Sequence, residues 1–273
     1  MPELPEVETV KRTLIPLTVG KTIQHVQVFW PNIIKKPDVV TFAEMLQGQT
    51  IQSVERRGKF LKFLLDELVL VSHLRMEGRY LLQPSTAPIE PHTHVIFQFT
   101  DGTELRYRDV RKFGTMHLFK AGEEEAQPPL SLLGPEPFSP AFTPEFLMNK
   151  LQKTSRNIKS VLLDQTVVVG LGNIYVDETL FRSRLHPERT ASSLTAEEIE
   201  RLYREIVATL HEAIEHGGST VRTYVNTQGV SGTFQLQLFV YGRKGEPCKQ
   251  CGHPVRKITV AGRGTHYCER CQQ

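Results

Sequence analysis

The first 247 residues contain no cysteine, and all four cysteines of the chain fall within its last 26 residues. Nothing in this distribution points to an oxidising compartment, where disulfides stabilise small secreted domains. No apolar run approaches the roughly 18–20 residues of a membrane span, and the N-terminus lacks the basic and apolar segments of a signal peptide. These absences predict a cytoplasmic protein without a membrane segment.

The sequence also has little net charge, +3 over 273 residues, so the charge of the whole chain identifies no partner. The last 33 residues differ, because they hold seven basic and two acidic residues, a net charge of +5. An exposed basic patch of this kind suits a polyphosphate backbone, and a merely solvated surface is the alternative. The basic residues of this patch are Arg243, Lys244, Lys249, Arg256, Lys257, Arg263 and Arg270.

The four cysteines form two Cys-x-x-Cys pairs, Cys248 with Cys251 and Cys268 with Cys271, separated by sixteen residues. This spacing is typical of a tetrahedral four-cysteine zinc site on a short hairpin. Two disulfides, or reduced cysteines without a role, are the alternatives. Four thiolates leave the ion no open position, so the predicted zinc is structural. Glycines on both sides of Arg263 predict a hairpin tip that holds this side chain outward for bidentate phosphate binding.

Hydrophobic patterning predicts an α+β fold with several domains. An N-terminal helix is followed by short strands without helices between them, which favours an antiparallel β-sandwich. The predicted strands are 22–30, 59–65, 68–73, 94–100, 104–108 and 116–120. Short helices are predicted at 143–151, 156–163 and 174–182. A capping box of Thr195 and Glu198 then opens a long helix that ends at Gly217 and Gly218.

These elements divide the chain into a β-sandwich domain at 1–131, a linker at 132–140, a helical domain at 141–240 and a zinc finger at 241–273. The helical domain contains a Gly-x-Gly segment, but Tyr175 stands where a dinucleotide-binding loop requires its third glycine. Two turns joining helices are the better interpretation. Asn173 would then be a helix N-cap beside N–H groups that bind a phosphate, and a purely structural turn is the alternative.

The N-terminus carries the clearest candidate for covalent chemistry. Removal of Met1 would leave Pro2 as a free secondary amine, a nucleophile towards an aldehyde-like carbon that forms an iminium. Glu3 and Glu6 are three residues apart and therefore share a helix face, so a carboxyl can lie beside the amine as an acid or base. The alternative is that prolines and acids simply begin a helix well. If Met1 stays, the nitrogen of Pro2 is an amide and this chemistry is absent.

Three further segments combine cations with glycines. Lys59 follows Gly58, which permits close approach of a ligand backbone, so Lys59 could meet a phosphate or act as an acid. Met76 and Phe113 each lie near an arginine and just before a glycine. An apolar wedge beside an arginine is how proteins open a base step and fill the gap. A solvated strand end and ordinary core packing are the respective alternatives.

Together these residues resemble the bacterial formamidopyrimidine-DNA glycosylase family, and the resemblance covers essentially the whole chain. It depends on segments 2–8, 134–137, 170–175 and 241–248 and on the cysteine pattern, in the right order. The resemblance implies a β-sandwich with an N-terminal helix, a helix–two-turns–helix domain and a four-cysteine zinc-finger hairpin, with DNA across the cleft. It also implies a bifunctional DNA glycosylase and AP lyase of base excision repair that acts on 8-oxoguanine and formamidopyrimidines.

The resemblance also implies roles for individual residues. Pro2 attacks C1′ of the damaged nucleoside, Glu3 assists base loss, Lys59 donates a proton in β-elimination, and Arg263 grips phosphates and serves in δ-elimination. Residues that fill the void left by the everted base are Met76, Arg111 and Phe113. Residues assigned to DNA contact are His73, His92, Arg111, Lys153, Asn173 and Lys257. Residues assigned to lesion recognition are Glu6, Glu77, Ser219, Thr220, Arg222 and Tyr224.

Two departures from the family pattern concern specificity and DNA contact. Arg75 and Glu77 flank Met76 where many relatives carry small residues, which alters lesion preference more than mechanism. Thr154 stands at a basic contact position, so the contact is carried to Lys153. The expected partner is damaged double-stranded DNA, bound by a monomer with one structural zinc. No organic cofactor and no obligate protein partner are expected, and the location is cytoplasmic, associated with the nucleoid through DNA.

Three alternatives remain open from the sequence. The first is an endonuclease VIII-like glycosylase for oxidised pyrimidines. By resemblance, the segment 111–113 and the long loop 218–229 favour the oxidised-purine branch instead. The second is a non-enzymatic zinc-finger DNA-binding protein, which gives no reason for an N-terminal Pro-Glu. The third is an N-terminal proline acting as general base on a small keto acid, against which the helix start and the finger argue.

Overall fold

The structure is a computed structural model that describes residues 1–219 and 232–273. The chain forms two compact units, each with a hydrophobic core of its own. The first unit contains Met1–Leu132, and the second contains Leu133–Ser219 together with Thr233–Gln273. Among the described residues, no helix has both the length and the apolar character that crossing a membrane requires.

The first unit is a β-sandwich that carries two helices. Its elements are α1 (Leu4–Thr18), β1 (Ile23–Val28), β2 (Ile34–Lys36), α2 (Val39–Leu46), β3 (Ser53–Arg57), β4 (Phe60–Leu64), β5 (Leu68–His73), β6 (Arg79–Pro84), β7 (Thr93–Phe99), β8 (Thr103–Arg108) and β9 (Thr115–Lys120). One sheet has the order β1-β7-β8-β6 and the other has the order β2-β9-β5-β4-β3. Buried side chains of both sheets, such as Phe97 and Leu70, form one core between them.

The predicted sandwich and its N-terminal helix are confirmed, with three corrections. The helix α2 lies between strands that were predicted to follow one another directly. Strands β2, β3 and β6 were not predicted, and β2 pairs with β9 in parallel, so the sheets are not purely antiparallel. The cause is that short edge strands such as β3, in which only Val54 is buried, show no alternating hydrophobic pattern.

The start of α1 is fixed by a capping box of Glu3 and Glu6. The side chain of Glu6 accepts a hydrogen bond from the N–H of Glu3 at 2.8 Å, and the side chain of Glu3 accepts from the N–H of Glu6. Pro5 occupies the first turn, where a missing N–H costs nothing. Pro2 lies before the N-cap rather than inside the first turn, which corrects the sequence-based prediction.

The second unit is built from four helices and a hairpin: α3 (Pro144–Leu151), α4 (Ile158–Leu163), α5 (Asn173–Arg182), α6 (Ala196–Glu215), β10 (Arg256–Val260) and β11 (Arg263–Tyr267). The capping box of Thr195 and Glu198 is confirmed, and Gly217 and Gly218 follow α6 with positive φ. The N-cap of α5 is Gly172 rather than Asn173, which is the first helical residue. These elements confirm the helical domain and the four-cysteine hairpin.

The hairpin of β10 and β11 turns through Ala261 and Gly262, which have φ values of 49° and 72°. Positive φ at both central residues is the geometry of a type I′ turn, which matches the twist of antiparallel strands. Arg263 is paired with Val260 and is therefore the first residue of β11, next to the turn rather than at its centre. The side chain is exposed at the end of the hairpin, as predicted.

Candidate functional site

Pro2, Glu3 and Glu6 are all buried at the start of α1, and Met1 is half exposed. The exposed fractions of the two acids are only 2% and 4%. The capping box holds both carboxyl groups at the helix N-terminus, where backbone N–H groups stabilise negative charge. Two buried carboxyl groups, on Glu3 and Glu6, are therefore fixed at the start of α1, directly after residue 2 in the chain.

A chain of ionic contacts links α1 to the turn that carries Lys59. The carboxylate of Glu8 accepts from Nε of Arg56 at 3.1 Å, and Nη1 of Arg56 donates to the carbonyl of Gly58 at 2.9 Å. Gly58 has a φ of 56° and forms with Lys59 the two-residue turn between β3 and β4. The side chain of Lys59 is buried, so the position of its ammonium group is fixed by the fold.

His73, at the end of β5, is a buried neutral imidazole among cations. Burial first, and then the charges of Arg75 and Lys59, lower the pKa of His73 to about 3. Its Nδ1 accepts a hydrogen bond from the N–H of Arg75 at 2.9 Å, which requires that nitrogen to be unprotonated. The ring packs edge-on against Phe60 at 4.5 Å. The structure therefore brings Lys59, His73 and Arg75 together in one positively charged cluster.

The two predicted wedge segments are tight loops, 74–78 and 109–114. In the first, Arg75 has a φ of 54° and Met76 is half-buried. In the second, the carboxylate of Asp109 accepts three backbone N–H hydrogen bonds within the loop, at 2.8 to 3.0 Å. The guanidinium of Arg111 lies 4.7 Å from the ring centre of Phe113, whose side chain is exposed. An arginine stacked on an exposed phenyl ring is thus displayed on a rigid loop.

His92 lies beside the second of these loops. Its carbonyl accepts from the N–H of Asp109 at 3.0 Å, and its side chain is exposed. The structure therefore brings His92 close to the loop that carries Arg111 and Phe113. Glu77 is half-buried in the first loop.

In the second unit, a buried ionic cluster joins α4, α5 and β11. Nζ of Lys159 lies 2.6 Å from Oδ1 of Asp177 and 2.8 Å from Oγ1 of Thr265. The other carboxylate oxygen of Asp177 accepts from the N–H of His266 at 2.8 Å. Nδ2 of Asn173 donates to the carbonyl of Gly264 at 2.8 Å. Helices α4 and α5 together thus hold the three consecutive residues that directly follow Arg263: Asn173 and Asp177 of α5 bond to Gly264 and His266, and Lys159 of α4 bonds to Thr265.

Glu178, the next residue on α5, holds the chain that leads into the finger. Its carboxylate accepts from the N–H groups of Phe239, Val240 and Tyr241 at 2.8 to 2.9 Å. Burial raises the pKa of Glu178, although the three N–H groups favour its charged form. Adjacent acids on one helix therefore fix both the segment before the finger and the strand that carries Arg263.

The four cysteines are free thiols whose sulfur atoms all lie within 4.8 Å of one another. Sγ of Cys248 is 3.9 Å from Sγ of Cys271, and Sγ of Cys251 is 3.5 Å from Sγ of Cys268. A tetrahedron with Zn–S bonds of about 2.3 Å has sulfur–sulfur distances of about 3.8 Å. The thiols fit one Zn²⁺ with four thiolate ligands, so the metal is structural.

The remaining predicted contact residues have different environments. Lys257 and Arg263 are both exposed on the hairpin, with the Lys257 stem over Gly264. Lys153 is exposed just after α3, and Asn173 is half-buried. Ser219 is buried. Three residues predicted to recognise the lesion lie outside the described residues: Thr220, Arg222 and Tyr224.

Sequence reasoning missed the roles of Lys159 and Asp177. A lysine between the apolar residues of a short helix has the appearance of a solvent-facing charge, and its partners lie 18 and 106 residues away. The one available signal was the pair Asp177-Glu178, because two adjacent acids flanked by the apolar residues Val176 and Leu180 need partners when they are buried.

Comparison with known proteins gives three family matches that together cover most of the chain. The Formamidopyrimidine-DNA glycosylase N-terminal domain matches residues 1–116, and the Formamidopyrimidine-DNA glycosylase H2TH domain matches residues 133–225. The zinc finger found in FPG and IleRS matches residues 245–273.

Full-length relatives agree with these matches. The chain is 65% identical over 274 residues to the formamidopyrimidine-DNA glycosylase of Geobacillus kaustophilus and 63% identical to that of Bacillus licheniformis, with 100% of each chain covered. A complex of Lactococcus lactis Fpg with abasic-site DNA superposes with a TM-score of 0.94 at 43% identity, covering 99% of both chains. The wild-type Lactococcus lactis enzyme with N7-benzyl-Fapy-dG DNA gives a TM-score of 0.94 at 43% identity, covering 100% of both chains.

Proposed function

The chain belongs to the formamidopyrimidine-DNA glycosylase family, and we propose that it removes oxidised purines from duplex DNA and then cleaves the strand. The observation that carries this proposal is the 65% identity over the full length to a formamidopyrimidine-DNA glycosylase. The substrates are 8-oxoguanine and formamidopyrimidines, and AP lyase activity is typical of the family. The partner is damaged double-stranded DNA, and the matched complexes contain DNA with an abasic site or with N7-benzyl-Fapy-dG.

In the proposed first step, removal of Met1 exposes the secondary amine of Pro2. The amine attacks C1′ of the damaged nucleoside, and the N-glycosidic bond breaks as Glu3 donates a proton to the departing base. The Glu3 carboxylate then takes the proton released from the Pro2 nitrogen and delivers it to O4′ as the C1′–O4′ bond breaks and the sugar ring opens. The product is an iminium between Pro2 and C1′. Burial of Glu3 beside residue 2 supports this assignment, because a carboxyl held at the helix start needs no reorganisation before it transfers a proton.

Strand cleavage follows from the same iminium by elimination. In β-elimination a proton passes from C2′ to solvent and the C3′–O bond breaks with the 3′ phosphate as the leaving group. In δ-elimination a proton passes from C4′ to solvent and the C5′–O bond breaks with the 5′ phosphate as the leaving group. We assign Lys59 as the proton donor of the first elimination and Arg263 to the second, where it also grips phosphate. The Glu8–Arg56–Gly58 contacts support the assignment of Lys59, because they fix the turn that carries it.

We assign DNA binding to polar and positively charged side chains whose backbone positions are fixed by the fold. The neutral imidazole of His73 lies among cations, so it can donate to a phosphate without adding a further buried charge. His92, Arg111, Lys153, Asn173 and Lys257 are proposed phosphate or backbone contacts, and Arg111 has a second role. Met76, Arg111 and Phe113 fill the void left by the everted base. Glu6, Glu77, Ser219, Thr220, Arg222 and Tyr224 are proposed to recognise the lesion.

The zinc supports this function rather than performing it. Its binding free energy, roughly 10–16 kcal/mol in isolated finger peptides, is large enough to hold a hairpin that has little core of its own. The hairpin then aims Arg263 at a phosphate. We propose that the protein acts as a monomer, without an organic cofactor or an obligate protein partner. We also propose that the protein is cytoplasmic and associates with the nucleoid through DNA.

Competing duplex substrates test the proposed lesion class. The processed protein should cleave duplexes with 8-oxoguanine opposite cytosine faster than duplexes with thymine glycol. A clear preference for thymine glycol would assign the protein to the endonuclease VIII-like branch. Binding of both duplexes without any cleavage would leave only a DNA-binding protein.

A further inference from the structure

Tyr107, on β8, lies beneath both of the loops that carry the proposed void-filling residues. Its side chain is fully buried. A Cβ built at Gly78 would stand 2.1 Å from the Tyr107 hydroxyl oxygen, and a Cβ built at Gly114 would stand 1.8 Å from the same atom. Both values are far below a van der Waals contact. The hydroxyl group therefore occupies the space that side chains at the ends of both loops would need.

The two glycines are the last residues of loops that are each rigid. In loop 74–78, the N–H of Gly78 donates to the carbonyl of Leu74 at 2.9 Å. In loop 109–114, the N–H of Gly114 donates to the carboxylate of Asp109 at 2.8 Å. Because each loop closes on itself, fixing its terminal glycine fixes the position of the whole loop.

The ring of Tyr107 is itself held in place. It packs against the ring of Tyr80 with 5.1 Å between centroids, and the two residues face each other across β6 and β8. Tyr80 donates to Oγ of Ser72 at 2.7 Å and is also fully buried. The packing of the core therefore fixes the hydroxyl oxygen of Tyr107 at the position where it contacts the ends of both loops.

We infer that Tyr107 is a positioning residue that sets the spacing between Met76 and the Arg111–Phe113 pair, so that both loops enter the base stack in register. This inference rests on the proposed function. The two loops enter one gap in a duplex, whose dimensions are fixed by the stack, so an error in their spacing opposes insertion. A phenylalanine would remove the atom that both glycines contact and leave the loops independent of each other.

The test compares two substrates that differ in their need for void filling. Excision of 8-oxoguanine from a duplex requires the everted base to be replaced, whereas β-elimination on a single-stranded abasic oligonucleotide does not. We expect Tyr107→Phe to lower single-turnover excision from the duplex by about 10-fold or more, since misplacement of about 1 Å can cost about 100-fold. Cleavage of the single strand should stay near the wild-type rate.

Tyr80→Phe is the matched control, because it removes a buried hydroxyl of the same core that is bonded to Ser72 rather than packed on either glycine. It should leave the ratio of the two rates unchanged. Gly114→Ala, which pushes against the Tyr107 hydroxyl, should lower the duplex rate selectively, as Tyr107→Phe does. Equal losses on both substrates in Tyr107→Phe would overturn the inference and leave the proposed function intact. A wild-type protein that cleaves neither substrate would overturn both.

Discussion

Nζ of Lys159 and Oδ1 of Asp177 lie 2.6 Å apart, and both side chains are fully buried. Two hydrogen bonds extend this pair to the strand that carries Arg263, through Oγ1 of Thr265 and the N–H of His266. Four thiolates can fold the zinc hairpin, whereas these buried hydrogen bonds join its strand β11 to helices α4 and α5. We therefore attribute the orientation of Arg263 to helix α5 and its buried ionic partner.

Replacing one member of this pair should be far more harmful than replacing both. Lys159→Met leaves a buried carboxylate without its cation, which destabilises a protein by about 3–5 kcal/mol. Lys159→Met combined with Asp177→Leu should recover most of the free energy of unfolding, because apolar replacement of a buried pair is often neutral. Denaturant unfolding followed by circular dichroism measures both effects.

The double variant should still bind damaged duplex more weakly than the wild type, because its strand β11 has lost two hydrogen bonds. Wild-type affinity in the double variant would show that the ionic cluster stabilises the unit without orienting Arg263. If Lys159→Met lowers the free energy of unfolding by less than about 1 kcal/mol, the value of an exposed ion pair, then burial does not strengthen the effect of losing the cation.

Removing the zinc should abolish DNA binding and leave the first unit folded. Trp30, the single tryptophan of the chain, lies in that unit and reports its state by fluorescence. Chelation under reducing conditions should therefore leave the tryptophan emission native while affinity for abasic duplex falls, and added Zn²⁺ should restore the affinity. Undiminished binding by protein shown to be zinc-free would refute the supporting role of the finger.

Two histidines should make the first unit less stable as pH falls below 6.5. Burial lowers the pKa of His73 to about 3 and that of His117 to about 4, so both stay neutral in the folded chain while the unfolded chain takes up protons. Their contribution to stability is complete above pH 6.5 and decreases towards those lower values. For the buried His73 the slope approaches about 1.4 kcal/mol per pH unit well below pH 6.5, and the partly exposed His117 contributes less because solvent screens it.

Unfolding followed by Trp30 fluorescence between pH 5 and pH 6.5, above the ordinary carboxylate range of about 4, measures this slope. His73→Gln should reduce the slope, since glutamine does not titrate. His211→Gln is the control, because that side chain is 64% exposed on a helix of the second unit. A slope unaffected by His73→Gln would show that His73 is not held neutral by the fold.

Arg56→Met should loosen the turn that carries Lys59. The side chain of Arg56 is only 10% exposed and joins Glu8 to the carbonyl of Gly58, so its loss should cost about 1.5–3 kcal/mol. Arg12→Met provides the control, because Arg12 also pairs with Glu8 but is 59% exposed and should contribute about 0–1 kcal/mol. β-Elimination by Arg56→Met should slow while Arg12→Met keeps its rate. Equal β-elimination rates in the two variants would show that the contacts of Arg56 do not position Lys59.

Local patterns were sufficient for the elements whose signals lie within a few residues. The N-terminal helix, the capping box at Thr195 and the cysteine pairs are of this kind, and each was found in the structure. Helix α2 was missed because Val39, Val40 and Thr41 are β-branched and favour strands. Its formation depends on the Asp38 N-cap and on burial of residues that the sequence alone does not place in the core.

The sequence was sufficient to propose the residues that carry chemistry, which remain predictions, and it missed buried residues that support them in the structure. Pro2 stands out by its position after Met1 and beside Glu3, and Lys59 and Arg263 stand out by residue type and by neighbouring glycines. The pairing of Lys159 with Asp177, and the contact of Tyr107 with Gly78, depend on how distant elements meet in the fold. No local spacing in the sequence indicates such contacts. The buried ion pair and the packing of Tyr107 on a loop glycine could therefore be identified only from the structure.

The central claim, covalent catalysis by Pro2, is tested most directly by borohydride reduction during reaction with an abasic-site duplex. Peptide mapping of the trapped adduct identifies the nitrogen bound to C1′. The account predicts one adduct, on Pro2 of protein that has lost Met1, and a greatly weakened adduct in Pro2→Gly. An adduct on a lysine, or a full yield from protein that retains Met1, would contradict it.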